Sequence, residues 1–174
     1  MGVKKVAEKK IKQFFQKIME ASENSKHPIL IENSSCFLEI FENHKNEDSL
    51  NIQNALSFIF ENLKEYPLKK QNKNIMLHVN CSVTKLKMND QIISLTQRCA
   101  DNTIIPNDIL CCGFAGSKGF TNPELNQNAL KTLKEQIPDN YYEGYTCLET
   151  CALGFTKHSG IPYYSIFHLI DECM

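Results

Sequence analysis

The stretch Ile75-Met76-Leu77-His78-Val79-Asn80-Cys81 is a short, mostly apolar run that ends in a cysteine. A continuous apolar run of this length is typical of a strand buried in a parallel sheet. A second run, Pro28-Ile29-Leu30-Ile31, has the same character and is followed by Cys36. We therefore predict that strands deliver cysteines at their carboxyl ends, which is where open α/β sheets bind ligands.

Two adjacent cysteines stand between these positions and the chain end, in Cys111-Cys112-Gly113-Phe114-Ala115-Gly116. Cys81 lies upstream of this segment, and Cys147 and Cys151 lie downstream. Adjacent cysteines form a strained ring if they disulfide-bond to each other, but both thiolates can bind one metal centre. The glycines allow the positive φ that a tight turn around such a centre requires. Thiolate is a soft ligand, so this pattern favours zinc or an iron–sulfur cluster over hard cations.

Helices are predicted between the strands from the spacing of apolar residues. An amphipathic pattern covers residues 3–20, and a second helical period covers residues 52–63. Between them the chain is polar over residues 44–48. Residues 122–124, Asn-Pro-Glu, are typical of a helix start. A last helix is expected around residues 165–172.

Strand and helix alternate along the chain, which predicts an α/β fold with short parallel sheets flanked by helices. A further strand, at residues 104–105 or 108–110, would lead into the Cys-Cys-Gly turn. The polar stretch 69–74 is the best internal boundary. We therefore expect one unit over residues 1–72 and another over residues 73–174.

Composition excludes several classes of function. The chain has 174 residues and a net charge of −1, with no basic stripe, so nucleic acid is not an expected partner. The Lys-rich start lacks the apolar core of a signal peptide, and no apolar run approaches the length of a membrane span. Eight cysteines favour metal or redox use over a disulfide framework. The expected compartment is a reducing cytoplasm, with attachment to the inner face of a membrane through a partner left open.

The cysteine segments resemble a known family. This is the cysteine-rich CCG domain shared by the heterodisulfide reductase B subunit, the glycolate oxidase iron–sulfur subunit and FAD-linked D-lactate dehydrogenases. The likeness is greatest to the C-terminal part of fused FAD/iron–sulfur lactate dehydrogenase-like proteins, and it covers most of the chain from Pro28 onward. The segments that carry the resemblance are residues 31–36, 78–82, 111–120, 123–125, 150–151 and 158–163.

The resemblance implies a tandem of small Rossmann-like modules, each with a Cys, a Cys-Cys-Gly and a closing Cys. Residues 1–72 would be the C-terminal part of a first module, with Cys36 as the closing ligand of its site. Residues 73–174 would be a complete second module, in a chain that is part of a longer polypeptide. The ligands that the family pattern assigns to the second module are Cys81, Cys111, Cys112 and Cys151.

The role of Cys147 is left open by its spacing. The family often closes with Cys-x-x-Cys, and five thiolates from such a set can hold an unusual four-iron cluster. Here the closing segment is Cys147-Leu148-Glu149-Thr150-Cys151, which is one residue longer. An ordinary 4Fe-4S cluster or a zinc ion needs only four thiolates. Both the type of metal centre and ligation by Cys147 therefore remain alternatives.

The remaining cysteines and two histidines are assigned less specific roles. Cys99 is predicted to lie in the core on a helix, and Cys173 to be exposed near the chain end. His78 is predicted to be a structural histidine, with donation of a hydrogen bond to sulfur as the alternative. His158 is expected to be a polar residue in a turn before the last strand.

The sequence shows no nucleophile–base pair, paired carboxylates or phosphate-binding loop, so this segment alone is not expected to be a catalyst. The resemblance implies an electron-transfer domain of an FAD-linked 2-hydroxy-acid oxidoreductase of the D-lactate or glycolate type. Its partners would be the FAD-binding domain of the parent chain and a quinone or other electron acceptor. FAD would bind elsewhere in the parent protein. The alternatives are a zinc-stabilised structural or docking module and a heterodisulfide-reductase-type domain whose cluster cleaves a disulfide.

Overall fold

Two parallel sheets organise the protein in the computed structural model, which describes residues 4–43 and 50–174. The small sheet pairs β1 (Ile29–Ile31) with β2 (Ile52–Asn54). The large sheet contains β3 (Gln71–His78), β4 (Ala100–Ile104), β5 (Glu143–Thr146) and β6 (Tyr163–Ser165). Its spatial order is β4-β3-β5-β6, and its strand pairings are parallel. The strand predicted from the apolar run 75–79 is therefore an interior strand of the large sheet.

Helices connect and flank these strands. They are α1 (Lys4–Ala21), α2 (Ser34–Asn43), α3 (Ala55–Asn62), α4 (Cys81–Lys85), α5 (Asn89–Cys99), α6 (Lys118–Thr121), α7 (Pro123–Ala129), α8 (Glu149–Ser159) and α9 (Ile166–Glu172), with a short 3₁₀ turn at Lys134–Gln136. The prediction of an α/β fold with short parallel sheets flanked by helices is confirmed.

The large sheet separates two apolar clusters, because successive side chains of a strand point to opposite faces. Ile75 and Leu77 of β3 pack into a cluster with residues of α5 and α9. Met76, between them in the sequence, belongs to a second cluster with Phe114 and with Phe155 of α8. The helices that cover the two faces thus have distinct apolar partners, and the second face is the one that carries the site described below.

Several local predictions are wrong. β1 is parallel but not buried, since Leu30 is 43% exposed and β1 pairs only with β2 among the described residues. The helix predicted over residues 52–63 begins at Ala55, because Ile52–Asn54 forms β2 and the Asn54 side chain caps the helix by accepting from the Leu56 N–H. The strand before the Cys-Cys-Gly segment is β4, which begins at Ala100 and overlaps the first alternative, residues 104–105, only at Ile104. Residues 1–3 and the polar stretch 44–48 lie outside the described residues.

The small sheet lies before the boundary drawn at residues 72 and 73, but β3 begins at Gln71, so the boundary falls within a strand of the large sheet. A buried polar contact links the helices that follow β1 and β3: the hydroxyl oxygens of Ser34 in α2 and Ser82 in α4 are 2.7 Å apart. Asn80 orders this contact, because its Oδ1 accepts from the Ser82 hydroxyl at 3.1 Å and from the Val83 N–H at 2.9 Å. The amino-terminal ends of α2 and α4 therefore lie side by side.

Candidate functional site

The strand order of the large sheet creates a crevice between β3 and β5. The chain leaves β3, forms β4 on one side, and then crosses the sheet to form β5 on the other side of β3. In open parallel sheets such a reversal of direction leaves a crevice at the carboxyl ends of the two strands, and ligands bind there. Cys81 follows β3, and Cys147 and Cys151 follow β5. The sequence prediction that strands deliver cysteines to one edge is consistent with this arrangement.

Four of the predicted ligands lie near one another at this edge, in two pairs. The buried pair consists of Cys112 and Cys151, whose sulfur atoms are 2.9 Å apart. The exposed pair consists of Cys81 and Cys111, which lie close enough to interact electrostatically. The pairs also act on each other, since Cys81 and Cys111 both contribute to raising the pKa of Cys151.

The buried pair shares its protons unequally. A hydrogen bond from the Cys151 thiol lowers the pKa of Cys112 and outweighs burial, which acts in the opposite direction. The backbone N–H of Phe114 adds to this lowering. The same hydrogen bond raises the pKa of Cys151, and burial adds to that effect. The first proton lost therefore leaves a thiolate on Cys112, with the Cys151 thiol donating to it.

The pKa of the exposed Cys81 is also shifted. Burial raises the pKa of Cys81, and the Cys111 and Cys112 sulfurs raise it further, while the nearby Lys85 ammonium lowers it. The neighbouring sulfurs raise this pKa because two thiolates repel each other. A bound metal cation would lower it instead, since a cation shared by thiolates stabilises their ionised forms.

The backbone of the Cys-Cys-Gly segment is held by its neighbours. Gly113 has φ of +75°, and a Cβ at this position would lie 2.5 Å from the Leu125 carbonyl oxygen. The Asn126 side-chain amide donates to the Cys112 carbonyl, and the Gly113 N–H donates to the Cys111 sulfur at 3.4 Å. Asn126 is a site residue that the sequence analysis missed, because its place on α7 shows no pattern linking it to a cysteine.

Cys147 does not join the four. It is buried, but it packs in the apolar cluster on the opposite face of the sheet, with Tyr145, whereas Cys112 and Cys151 belong to the cluster that contains Phe155. Burial raises the pKa of Cys147 to about 12, and the charge of Glu32 adds to the effect. The strand period explains the separation, because Cys147 continues the alternation of β5 on the side of Tyr145.

The three remaining cysteines lie in α2, in α5 and directly after α9. Cys36 is exposed in the first turn of α2, where its N–H donates to the Asn33 side chain at 3.0 Å. Cys99 is buried in the core, as predicted. Cys173 was predicted to be exposed, and this is wrong: it is fully buried, and its thiol donates to the Cys99 carbonyl at 3.6 Å. The last helix folds this residue inward.

The two histidines differ from each other in environment. His78 is 2% exposed and stacks on Phe155 with ring centroids 4.1 Å apart. Burial lowers the pKa of His78 to about 3, so the imidazole is neutral near pH 7. His158 does not lie in a turn as predicted. It belongs to the last turn of α8, and the turn begins at Gly160, whose φ is +88°.

Four thiols are suitable ligands for a soft metal, but their sulfur atoms are not arranged in the geometry of a metal site. Within residues 4–43 and 50–174, no group of three or more His, Cys, Asp or Glu side chains has the geometry of a metal site. In a tetrahedral zinc site, Zn–S bonds of about 2.3 Å place neighbouring sulfurs about 3.8 Å apart. The sulfurs of Cys112 and Cys151 are 2.9 Å apart, so metal binding would spread this pair by a small side-chain movement.

No family model, curated protein or solved structure matches this chain. None of the helices in the described part of the chain is both long and apolar enough to cross a bilayer.

Proposed function

We propose that the chain is an electron-transfer domain in which four cysteine thiolates hold a 4Fe-4S iron–sulfur cluster. The ligands in this proposal are Cys81, Cys111, Cys112 and Cys151. The domain would be the cysteine-rich part of an FAD-linked 2-hydroxy-acid oxidoreductase of the D-lactate or glycolate type. Its partners would be the FAD-binding domain of the parent chain and a quinone or other electron acceptor, with the cytoplasm as the compartment.

The observation that carries the proposal is the position of the 2.9 Å sulfur pair of Cys112 and Cys151. The two residues are 39 positions apart in the sequence, and their thiols meet beside the crevice between β3 and β5. Buried cysteines that serve only as small apolar residues have no reason to gather at this edge. The exposed Cys81 and Cys111 beside them supply the two further thiolates that a four-coordinate centre needs.

The protein's contribution would be to fix and tune the ligands. The Asn126 amide and the positive φ of Gly113 position the Cys112 backbone. Burial of Cys112 and Cys151 places two ligands in an apolar surrounding, and Cys81 and Cys111 face solvent. A bound cluster would supply one-electron chemistry at a potential set by burial and by hydrogen bonds to sulfur. The solvent-exposed side of the centre, at Cys81 and Cys111, would allow an electron donor or acceptor to approach.

A zinc-stabilised structural or docking module is the second candidate, because four thiols, without Cys147, match the ligand count of a structural zinc site. A heterodisulfide-reductase-type centre with five thiolates is less well supported, since Cys147 packs on the opposite face of the sheet.

Metal analysis with a visible absorption spectrum separates these functions. The 174-residue chain would be purified without oxygen, or reconstituted with ferrous iron and sulfide, and compared with protein loaded with zinc. Iron with labile sulfide in equal amounts, and the broad visible absorbance of a cluster, is the expected result. Stoichiometric zinc without colour would favour the structural module. Failure to bind either metal under anaerobic conditions would rule out both.

A further inference from the structure

Two buried side chains at the edge of the candidate site have polar atoms without a partner. They are His78, which is 2% exposed, and Thr146, which is 0% exposed. Neither His78 Nε2 nor Thr146 Oγ1 makes a hydrogen bond within the described structure. Buried polar groups in native proteins are nearly always paired, because an unpaired one loses its bonds to water without compensation.

The two residues are neighbours across the crevice strands. His78 is the last residue of β3 and Thr146 the last residue of β5, and they are paired in the parallel register of these strands. Both therefore lie at the carboxyl edge of the sheet. They also share a face, since they alternate with Leu77 and Tyr145, which pack together on the other side.

That face is the one that holds the buried thiol pair. The His78 ring stacks on Phe155 at 4.1 Å, and Phe155 follows Cys151 by four residues on α8. Residues four apart lie on the same side of a helix, so Cys151 and Phe155 both face the sheet. Phe155, Cys112 and Cys151 belong to one apolar cluster. The unpaired atoms of His78 and Thr146 thus lie on the same face of the sheet as the buried thiol pair.

We propose that His78 and Thr146 donate hydrogen bonds to the sulfur atoms of the metal centre once the four thiolates bind it. The inference rests on the proposed function. Donation from His78 requires the tautomer that carries its proton on Nε2, and donation from Thr146 uses its hydroxyl. Such bonds stabilise the more negative charge state of the centre and hold its ligands in orientation. The two residues are therefore positioning residues.

The test compares His78→Phe and Thr146→Val with wild type, using the whole chain loaded with ferrous iron and sulfide and, separately, with zinc. His78→Phe keeps the stacked ring and Thr146→Val keeps the shape of the side chain, and each removes the polar atom. We expect metal affinity, measured by chelator competition, to fall by about ten- to a hundredfold. The midpoint potential of the iron form should move to more negative values.

Controls distinguish donation from simple packing. Thr103→Val removes another buried hydroxyl without a partner, but Thr103 pairs in register with Ile75 and faces the opposite cluster, so it should change neither affinity nor potential. His78→Gln and Thr146→Ser retain a hydrogen-bond donor. Their metal affinity and midpoint potential should therefore lie closer to the wild-type values than those of His78→Phe and Thr146→Val.

Two outcomes would overturn the inference in different ways. Unchanged affinity and potential in His78→Phe and Thr146→Val, with equal changes in thermal stability of the metal-free and loaded forms, would assign both residues to packing or to an internal water. A wild-type chain that binds neither iron nor zinc would overturn the proposed function itself, and this inference with it.

Discussion

Cys112 is a buried thiol whose surroundings favour its ionised form. The Cys151 thiol and the Phe114 N–H both donate to its sulfur and lower its pKa. Metal binding requires thiolates, so the proton that must leave each ligand is part of the cost of binding. At Cys112 that cost is reduced, whereas at Cys151 it is increased because the same hydrogen bond raises its pKa. Cys112 is therefore the member of the pair that ionises first.

His78 makes the stability of the metal-free protein depend on pH. Burial lowers its pKa to about 3 in the folded state, whereas an exposed histidine in the unfolded chain titrates near 6.5. Below that pH the unfolded chain binds a proton that the folded protein excludes, so the free energy of unfolding falls as pH falls. Well below pH 6.5 each pH unit changes it by about 1.4 kcal/mol, and the change between pH 6.5 and pH 5 is about 1.6 kcal/mol, because half of the unfolded chains are still unprotonated at pH 6.5.

Urea unfolding of metal-free protein at these two pH values measures this effect. His78→Phe cannot take up the proton and is expected to lose this part of the dependence. If wild type and His78→Phe show the same loss of stability between the two pH values, the folded state accepts the proton and His78 is not held neutral by burial.

Cys99 and Cys173 are expected to matter for stability and not for metal. Both are fully buried in the core on the face opposite the buried thiol pair. Cys99→Ser places a hydroxyl in an apolar surrounding and should cost about 1–3 kcal/mol. Cys173→Ala removes the donor to the Cys99 carbonyl and leaves a small cavity, with a cost of about 1–2 kcal/mol. Denaturation and metal analysis of both variants check this, and a loss of metal in either would contradict the assignment.

At the scale of elements, the sequence predicted what depends on local pattern. The apolar run 75–79, the helix start at Pro123 and the last helix were predicted because apolar period and capping are local signals. β2 was missed because three residues joined directly to α3 continue its helical period. α8 was not predicted, since Gly154 lies within it. Gly154 is required there by packing, because a Cβ would lie 2.5 Å from the Asn126 side-chain amide.

In the Cys-Cys-Gly turn, substitution of Gly113 should be more destabilising than substitution of Gly116. Both have positive φ, of +75° and +71°, which costs a residue with a Cβ about 1–2 kcal/mol. Only Gly113 also faces a backbone, since a Cβ there would lie 2.5 Å from the Leu125 carbonyl oxygen, whereas Gly116 has open space. Gly113→Ala should therefore lose more stability than Gly116→Ala and also lose metal. Equal effects in denaturation and metal content would show that the contact with α7 is unimportant.

Metal binding should slow amide hydrogen exchange in some elements more than in others. Residues 111–119 and 147–154 contribute ligands or their supports, whereas α1 carries none. A metal present at about 100 times its dissociation constant adds about 2.7 kcal/mol to the folded state, which is about a hundredfold in protection. Hydrogen exchange with and without chelator should show this difference in the two segments and little change in α1. Equal exchange in both states would mean that the α/β core holds these segments without metal.

At the scale of the whole molecule, the site depends on how the sheet is wound. The sequence predicted cysteines at strand ends, and a parallel sheet brings such ends to one edge. It could not predict the face on which each side chain lies, because that depends on strand register and on the helices that cover each face. Cys147 illustrates the limit: it directly follows β5, yet it packs with the opposite cluster from Cys151. The choice between four and five thiolates is therefore a question of topology.

The central claim is that four thiolates, without Cys147, form one metal centre. Its most direct test is the metal content of single Cys→Ser variants of the whole chain, reconstituted with iron and sulfide without oxygen. Cys81→Ser, Cys111→Ser, Cys112→Ser and Cys151→Ser should each lose most of the metal, because a neutral hydroxyl replaces a thiolate. Cys147→Ser should keep it. The account is contradicted if Cys147→Ser empties the site, or if Cys151→Ser leaves it full.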